Sequence, residues 1–172
     1  VDITRSHPDY YRLQLGNHIL SGAFYATRLY RDLRENTGLV YSVESFLEAG
    51  KTRALFGVEY ACDPPNVAKA REIVEQNLNL MQKEPVSADE LQRAKTLLVR
   101  QVPLADASTD AIGEELLRRS MEDLPLDEPV RAAERYLEMT AEDVRDAFAR
   151  WIRPKDFVQI MVGPGPESAP AR

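Results

Sequence analysis

The stretch Leu29-Tyr30-Arg31-Asp32-Leu33-Arg34-Glu35-Asn36-Thr37-Gly38-Leu39-Val40-Tyr41-Ser42-Val43 decides how this chain is read. Leu29 and Leu33 fall one helical turn apart, so its first half reads as the end of an amphipathic helix. Gly38 is the residue type that closes a helix in the left-handed conformation. Beyond it, Leu39, Tyr41, Val43, Ser45 and Leu47 alternate with Ser42 and Glu44, the period-two pattern of a strand. The block therefore predicts helix, glycine stop and strand. Arg34 falls in the last helical turn and Tyr41 early in the strand. The reversal at Gly38 brings both side chains toward one place, where each could donate to a single acceptor such as a peptide carbonyl.

Downstream, Ala49-Gly50-Lys51-Thr52 reads as a turn, and Ala54, Phe56, Val58, Tyr60 and Cys62 alternate against Gly57 and Glu59. Two alternating runs around a short turn predict an antiparallel hairpin, 39–48 with 53–62. Upstream, Ser6-His7-Pro8-Asp9 reads as a helix start with Ser6 as its cap, and that helix runs to about Leu20. A second helix is expected from about Tyr25 to Glu35. After the hairpin, Pro64-Pro65 opens a helix to about Lys83, with Val67, Ala70, Val74, Leu78 and Met81 on one stripe. Ser87-Ala88-Asp89-Glu90 is a capping box for the next helix, which Pro103 should kink or end. Helices follow at 107–121 and 127–138. Thr140-Ala141-Glu142-Asp143 caps a last helix carrying Val144, Phe148, Trp151 and Ile152. Phe157 to Val162 reads as a final strand joining the sheet, and Gly163-Pro164 begins a polar tail. The order predicts an α+β fold with a small, largely antiparallel sheet and helices packed on one face. Three strands are few for so many helices, so a further strand is expected upstream of Val1.

At 172 residues the chain can bury one full core. A net charge of −6 without a basic run argues against nucleic acid as a partner. No apolar run approaches the length of a membrane span. Cys62, the single cysteine, excludes an internal disulfide and a multi-cysteine metal site. His7 and His18 have no Glu or His at metal-ligand spacing, so H-E-x-x-H and H-x-x-E-H are both absent. His18 reads as an ordinary helix residue, partly buried or on the surface. Gly50-Lys51-Thr52 ends like a phosphate loop, but Ser45 stands where the earlier glycine is required, and strands flank it on both sides. Cys62 has no nearby histidine and reads as a small core residue. Glu114-Glu115 and Glu142-Asp143 fit solvated helix faces and helix starts. Arg34 could likewise only complement a helix C-terminus, and Tyr41 only fill a strand face.

One family resemblance covers nearly the whole chain. Leu15-Gly16-Asn17-His18-Ile19-Leu20-Ser21-Gly22, Thr27-Arg28-Leu29-Tyr30-Arg31-Asp32-Leu33-Arg34 and Thr37-Gly38-Leu39-Val40-Tyr41-Ser42-Val43 resemble the C-terminal, non-zinc-binding domain of pitrilysin/insulinase-type zinc metallopeptidases. Its pattern there is N-x-x-L-G-G, S-R-L-x-x-x-L-R and G-L-a-Y-s-v. Asp63-Pro64, Glu90-Leu91 with Ala94-Lys95, Thr140 to Val144, and Gly163-Pro164 extend the likeness. Ser21 and Thr27 are mild departures, where glycine and serine are common.

The resemblance implies a single domain over 1–165, a polar tail over 166–172, and a place within a longer protein. It implies no metal in this chain, with zinc held by a homologous partner half in the same chain or a separate subunit. Arg34 and Tyr41 match the family residues that reach across to the peptide substrate. This chain is then the substrate-contacting, non-catalytic half of a zinc metallopeptidase, inactive alone. The alternative is a catalytically inactive structural or peptide-binding module of the same fold. Many bacterial relatives are exported, which favours the periplasm over the cytoplasm, although the sequence itself leaves the compartment open.

Overall fold

A computed structural model describes residues 1–22, 26–105 and 108–163. In chain order the elements are α1 (Asp9–Leu20), α2 (Arg28–Tyr30) running into a π-helical turn (Arg31–Glu35), and the strands β1 (Val40–Ala49) and β2 (Ala54–Cys62). A 3-10 turn (Pro64–Asn66) leads into α3 (Val67–Lys83), followed by α4 (Ala88–Ala105), α5 (Thr109–Met121), α6 (Glu128–Glu138) and α7 (Ala141–Trp151). The architecture is α+β, as the order of patterns predicts. β1 and β2 pair antiparallel, from Val40 opposite Cys62 to Ala49 opposite Ala54.

One face of this ribbon is buried. Ser45, Leu47, Ala54 and Phe56 turn inward, and Phe56 meets Phe148 of α7 edge to face at 6.0 Å. On the other face, Phe46 lies over Gly57, where an added Cβ would sit 2.3 Å from its ring. Helix α1 is the hub, packing on β1, α4, α6 and α7. Gly16 lets it approach α7, because a Cβ there would lie 2.2 Å from the Phe148 ring. Leu13, Leu15, Leu20, Leu33, Leu78 and Phe148 form the fully buried centre.

Two buried ionic clusters fasten the helices. Glu128 accepts from Arg5 at 2.6 Å and from the Tyr11 hydroxyl at 3.0 Å, while the Arg5 guanidinium lies 4.0 Å above the Tyr10 ring. Burial is tolerable for this pair because each charge has its counter-charge and a further polar or aromatic neighbour. Asp9, also buried, accepts from Arg150 and from the Trp151 indole, each at 2.8 Å. Both capping boxes form as read: Glu90 accepts from the Ser87 amide at 2.9 Å, and Asp143 from the Thr140 amide at 2.9 Å.

Four local expectations need correction. Ser6 does not cap α1; the Asp9 amide instead donates to His7 Nδ1 at 3.1 Å. The second helix starts at Arg28, since Thr27 is still extended (φ −99, ψ 159), and Tyr25 lies outside the described residues. Pro103 does not end α4, which continues to Ala105; in a last turn, proline removes only one ladder bond. His18 is buried, not partly buried or at the surface.

The largest correction concerns the C-terminal segment. Phe157 to Val162 is not a strand and does not join the sheet. The outer edge of β2 pairs, among the described residues, only with Val1, through Ala54, and the alternating run at 157–162 lies near the ribbon without entering its ladder. Phe157 touches Phe56, and Gln159 accepts from Arg71 at 2.9 Å. Val158 and Val162 nevertheless stay 87% and 95% exposed. The polar tail expected at 166–172 lies outside the described residues.

His18 makes the fold acid-sensitive. It lines a small cavity with Thr27, Glu90 and Arg93, and neither ring nitrogen has a hydrogen-bond partner. Burial lowers its pKa from 6.5 to about 4. The neutral ring is therefore favoured in the folded state, so stability is full above pH 6.5 and is lost as pH falls toward 4. At pH 5 the loss relative to pH 7 should be about 2 kcal/mol. Below pH 4.5 a second loss begins, because the Arg28 guanidinium holds the Glu90 carboxyl down to about 2. Urea unfolding at pH 7 and pH 5 checks this: His18→Gln should flatten the difference. Equal stability of the unsubstituted chain at both pH values would refute it.

Candidate functional site

The turn between the π-helical segment and β1 is built almost entirely by backbone geometry. The Asn36 amide donates to the Arg31 carbonyl at 2.8 Å, the long reach of a π turn. Gly38 takes a φ of +62, its amide bonds the Arg34 carbonyl at 3.1 Å, and the Leu39 amide bonds the Leu33 carbonyl at 2.9 Å. The Gly38 bond, four residues back, is the single 5→1 bond of an αL closure, and the positive φ it requires is why glycine is needed at this position. The Thr37 hydroxyl adds a bond to the Leu33 carbonyl at 3.0 Å. Asn77 of α3 donates to Asp32 at 3.1 Å and so fastens the turn to the helical layer.

Simple alternation puts Tyr41 on the same face as Ser45 and Leu47, but the ladder slips between Val40 and Ser42. A β-bulge inserts one unpaired residue and re-aims its neighbours. Here Val40 turns inward, 1% exposed, and Tyr41 turns outward, 64% exposed. Tyr41 therefore does not fill the buried face, and the strand-filling explanation of this residue fails.

Arg34 and Tyr41 share this turn. Arg34, also exposed, donates from Nη1 to the carbonyl of Val40 at 2.9 Å. That bond uses one of the five guanidinium N–H groups and fixes the stem beside Tyr41. Arg34 has no carboxylate partner among the described residues. The Tyr41 hydroxyl donates to Asp63 Oδ2 at 2.9 Å. That carboxylate, as acceptor and as a nearby charge, holds the phenol above the usual tyrosine range, while Arg34 pulls the other way. Asn66 completes the neighbourhood by donating to the Leu39 carbonyl at 3.3 Å. Asp63 and Asn66 carry no signal in the sequence beyond Asp63-Pro64 opening a helix; their partners lie across the hairpin.

Among the described residues no group of three or more His, Cys, Asp or Glu side chains could hold a metal ion. His7 serves the start of α1 and His18 lines a small cavity. A catalytic zinc needs three protein ligands. Elemental analysis of extensively dialysed protein should find no stoichiometric zinc; one tightly held ion per chain would overturn this. Among the described residues, no helix is long and apolar enough to cross a membrane.

Comparisons with known proteins agree on one relationship. The family model described as the peptidase M16 inactive domain matches residues 2–98. The uncharacterized zinc protease YmxG of Bacillus subtilis is 22% identical over 160 residues, covering 92% of this chain and 38% of that protein. The uncharacterized zinc protease SCO5738 of Streptomyces coelicolor is 28% identical over 151 residues, covering 86% of this chain and 32% of that protein. The crystal structure of a peptidase M16 inactive domain from Pseudomonas fluorescens superposes with a TM-score of 0.78 at 27% identity, covering 89% of this chain and 36% of that one. The chain thus spans about a third of the length of the curated relatives it matches.

Proposed function

Because this chain belongs to the peptidase M16 inactive-domain family, we propose that it is the non-catalytic, substrate-contacting half of a zinc metallopeptidase. Peptide hydrolysis would take place at zinc held by a homologous partner half, fused to it or separate. The observation that carries the reading is Tyr41, turned out of the core by a bulge and set beside Arg34 on one rigid, exposed turn. Structural roles for the pair leave this exposure unexplained.

The chemistry asks little of this chain beyond donors. When water attacks a peptide carbonyl, its oxygen gains negative charge in the transition state, and preorganised N–H and O–H groups aimed there stabilise it. Arg34 keeps N–H groups of its planar guanidinium free for that oxygen. Tyr41 offers a neutral hydroxyl whose proton stays in place, since the phenol sits above the usual tyrosine range. The αL closure at Gly38 and the Asn77 bond hold the turn before substrate arrives, so little ordering is needed on binding. The partner half would supply the Lewis acid and the activated water.

The reading requires that the chain alone cleave no peptide, and that it gain activity with a half carrying H-x-x-E-H. Reconstitution with the neighbouring segment of the same protein, or its partner subunit, tests this. Zinc content and cleavage of an unstructured peptide would be followed together. Cleavage by the assembled protein but not by either half is the expected outcome. An assembled protein that binds zinc-free, or binds peptides without cutting them, would favour the inactive structural or peptide-binding module.

A further inference from the structure

We propose that Asp63 is a competing acceptor that withholds the Tyr41 hydroxyl, so that substrate must displace it before Tyr41 can donate. The proposal rests on the functional reading given above for Arg34 and Tyr41 and deepens it.

Asp63 stands at the N-terminal edge of the 3-10 turn Pro64–Asn66, in extended conformation (φ −68, ψ 148). An aspartate at that place ordinarily accepts from the amides of the turn it opens. Here its side chain makes no such bond. The Asn66 amide is served by the Asp63 backbone carbonyl instead, at 2.9 Å. The carboxylate is thus released from capping, and Oδ2 accepts from the Tyr41 hydroxyl.

The ladder makes this meeting structural rather than accidental. Val40 lies opposite Cys62 and Ser42 opposite Ala61, which leaves Tyr41 as the extra residue of the bulge. The residue following Cys62 is Asp63, so the end of the hairpin carries the carboxylate to the side where the bulge sends the phenol.

A phenol has one proton to give. While it points at Asp63, the Tyr41 oxygen presents only lone pairs to anything else and cannot donate to a carbonyl. A carboxylate beside a developing oxyanion also opposes it by like-charge repulsion. Both effects act in one direction. Arg34 is under no such restraint, since its single bond goes to a backbone carbonyl and leaves further N–H groups free. The pair therefore consists of one ready donor and one masked donor. Substrate binding needs only rotation of the Tyr41 O–H from Asp63 to the peptide oxygen; no bond other than hydrogen bonds changes.

The experiment compares Asp63→Ala, Asp63→Asn and Tyr41→Phe in the complete two-half protein. Removing the competing acceptor should raise kcat/KM for peptide cleavage by about three- to tenfold in Asp63→Ala, the size of one modest hydrogen bond. Asp63→Asn should rise less, because the amide oxygen still accepts but carries no charge. In the chain alone, ultraviolet titration of tyrosine, taken as the difference from Tyr41→Phe, should show the Tyr41 phenol moving down to the ordinary range in Asp63→Ala. Unchanged or lower turnover in Asp63→Ala, or an unmoved phenol, would overturn the proposal. Near-normal turnover in Tyr41→Phe would instead remove the functional reading itself. A slow Tyr41→Phe beside an unaltered Asp63→Ala would leave that reading standing and end this one.

Discussion

Replacing Phe148 with alanine is expected to remove about 3–5 kcal/mol of folding stability, the usual loss for a fully buried aromatic. Among the described residues Phe148 is the largest of the fully buried side chains, and it meets both the sheet and α1. Its ring touches Phe56 of the sheet, and it lies over Gly16 of α1, where no side chain fits. Since domains are stable by about 5–15 kcal/mol in total, the variant should unfold at distinctly lower denaturant concentration. Gly16→Ala tests the same contact from the other side. Its methyl group would overlap the Phe148 ring and should destabilise by about 1–3 kcal/mol. The two changes should not add. The cavity left by Phe148→Ala can receive the Gly16→Ala methyl group, so the second substitution should cost less in that background. Urea midpoints of the four proteins give the cycle directly. Additive effects would mean that the close approach of α1 and α7 is not held by this ring.

The second large effect concerns activity. Arg34→Ala in the assembled two-half protein should lower kcat/KM by roughly 100- to 1000-fold, or about 2.7–4 kcal/mol, as for loss of one oxyanion donor. Its stability should hardly change, since the residue is exposed and makes one hydrogen bond to Val40. Arg34→Lys should recover only part of the loss: a lysine keeps the charge but not the planar fork that holds Val40 and substrate together. Peptide cleavage rates with zinc content measured on the same samples would decide it. A lysine variant equal to the parent would reduce Arg34 to a point charge.

How much of this could be read in advance depended on whether the determinants were local. The boxes at Ser87–Glu90 and Thr140–Asp143 formed as read, because each is closed by residues three apart in the chain. Gly38 closed its helix for the same reason. The hairpin followed from two alternating runs around one turn. The orientation of Tyr41 did not follow, because a single bulged residue reverses the count of inside and outside and leaves no mark in composition. Ser6 lost the capping role to His7, since Asp9, bonded to Arg150 and Trp151 from α7, draws the helix start into the core. The segment Phe157–Val162 has the composition of a strand, but composition does not decide pairing, and it forms no ladder with β1 or β2. Asp63 was legible as a helix opener, and its actual partner is 22 residues away in sequence.

The most direct test is turnover by the Tyr41→Phe variant at saturating peptide, in the assembled protein with its zinc content matched to the parent. The substitution deletes one oxygen on an exposed side chain and leaves the core untouched. The account predicts a fall in kcat of roughly 100-fold or more, with zinc content and melting temperature nearly unchanged. Turnover indistinguishable from the parent would contradict it, and would return Tyr41 and Arg34 to a purely structural part in closing the turn at Gly38.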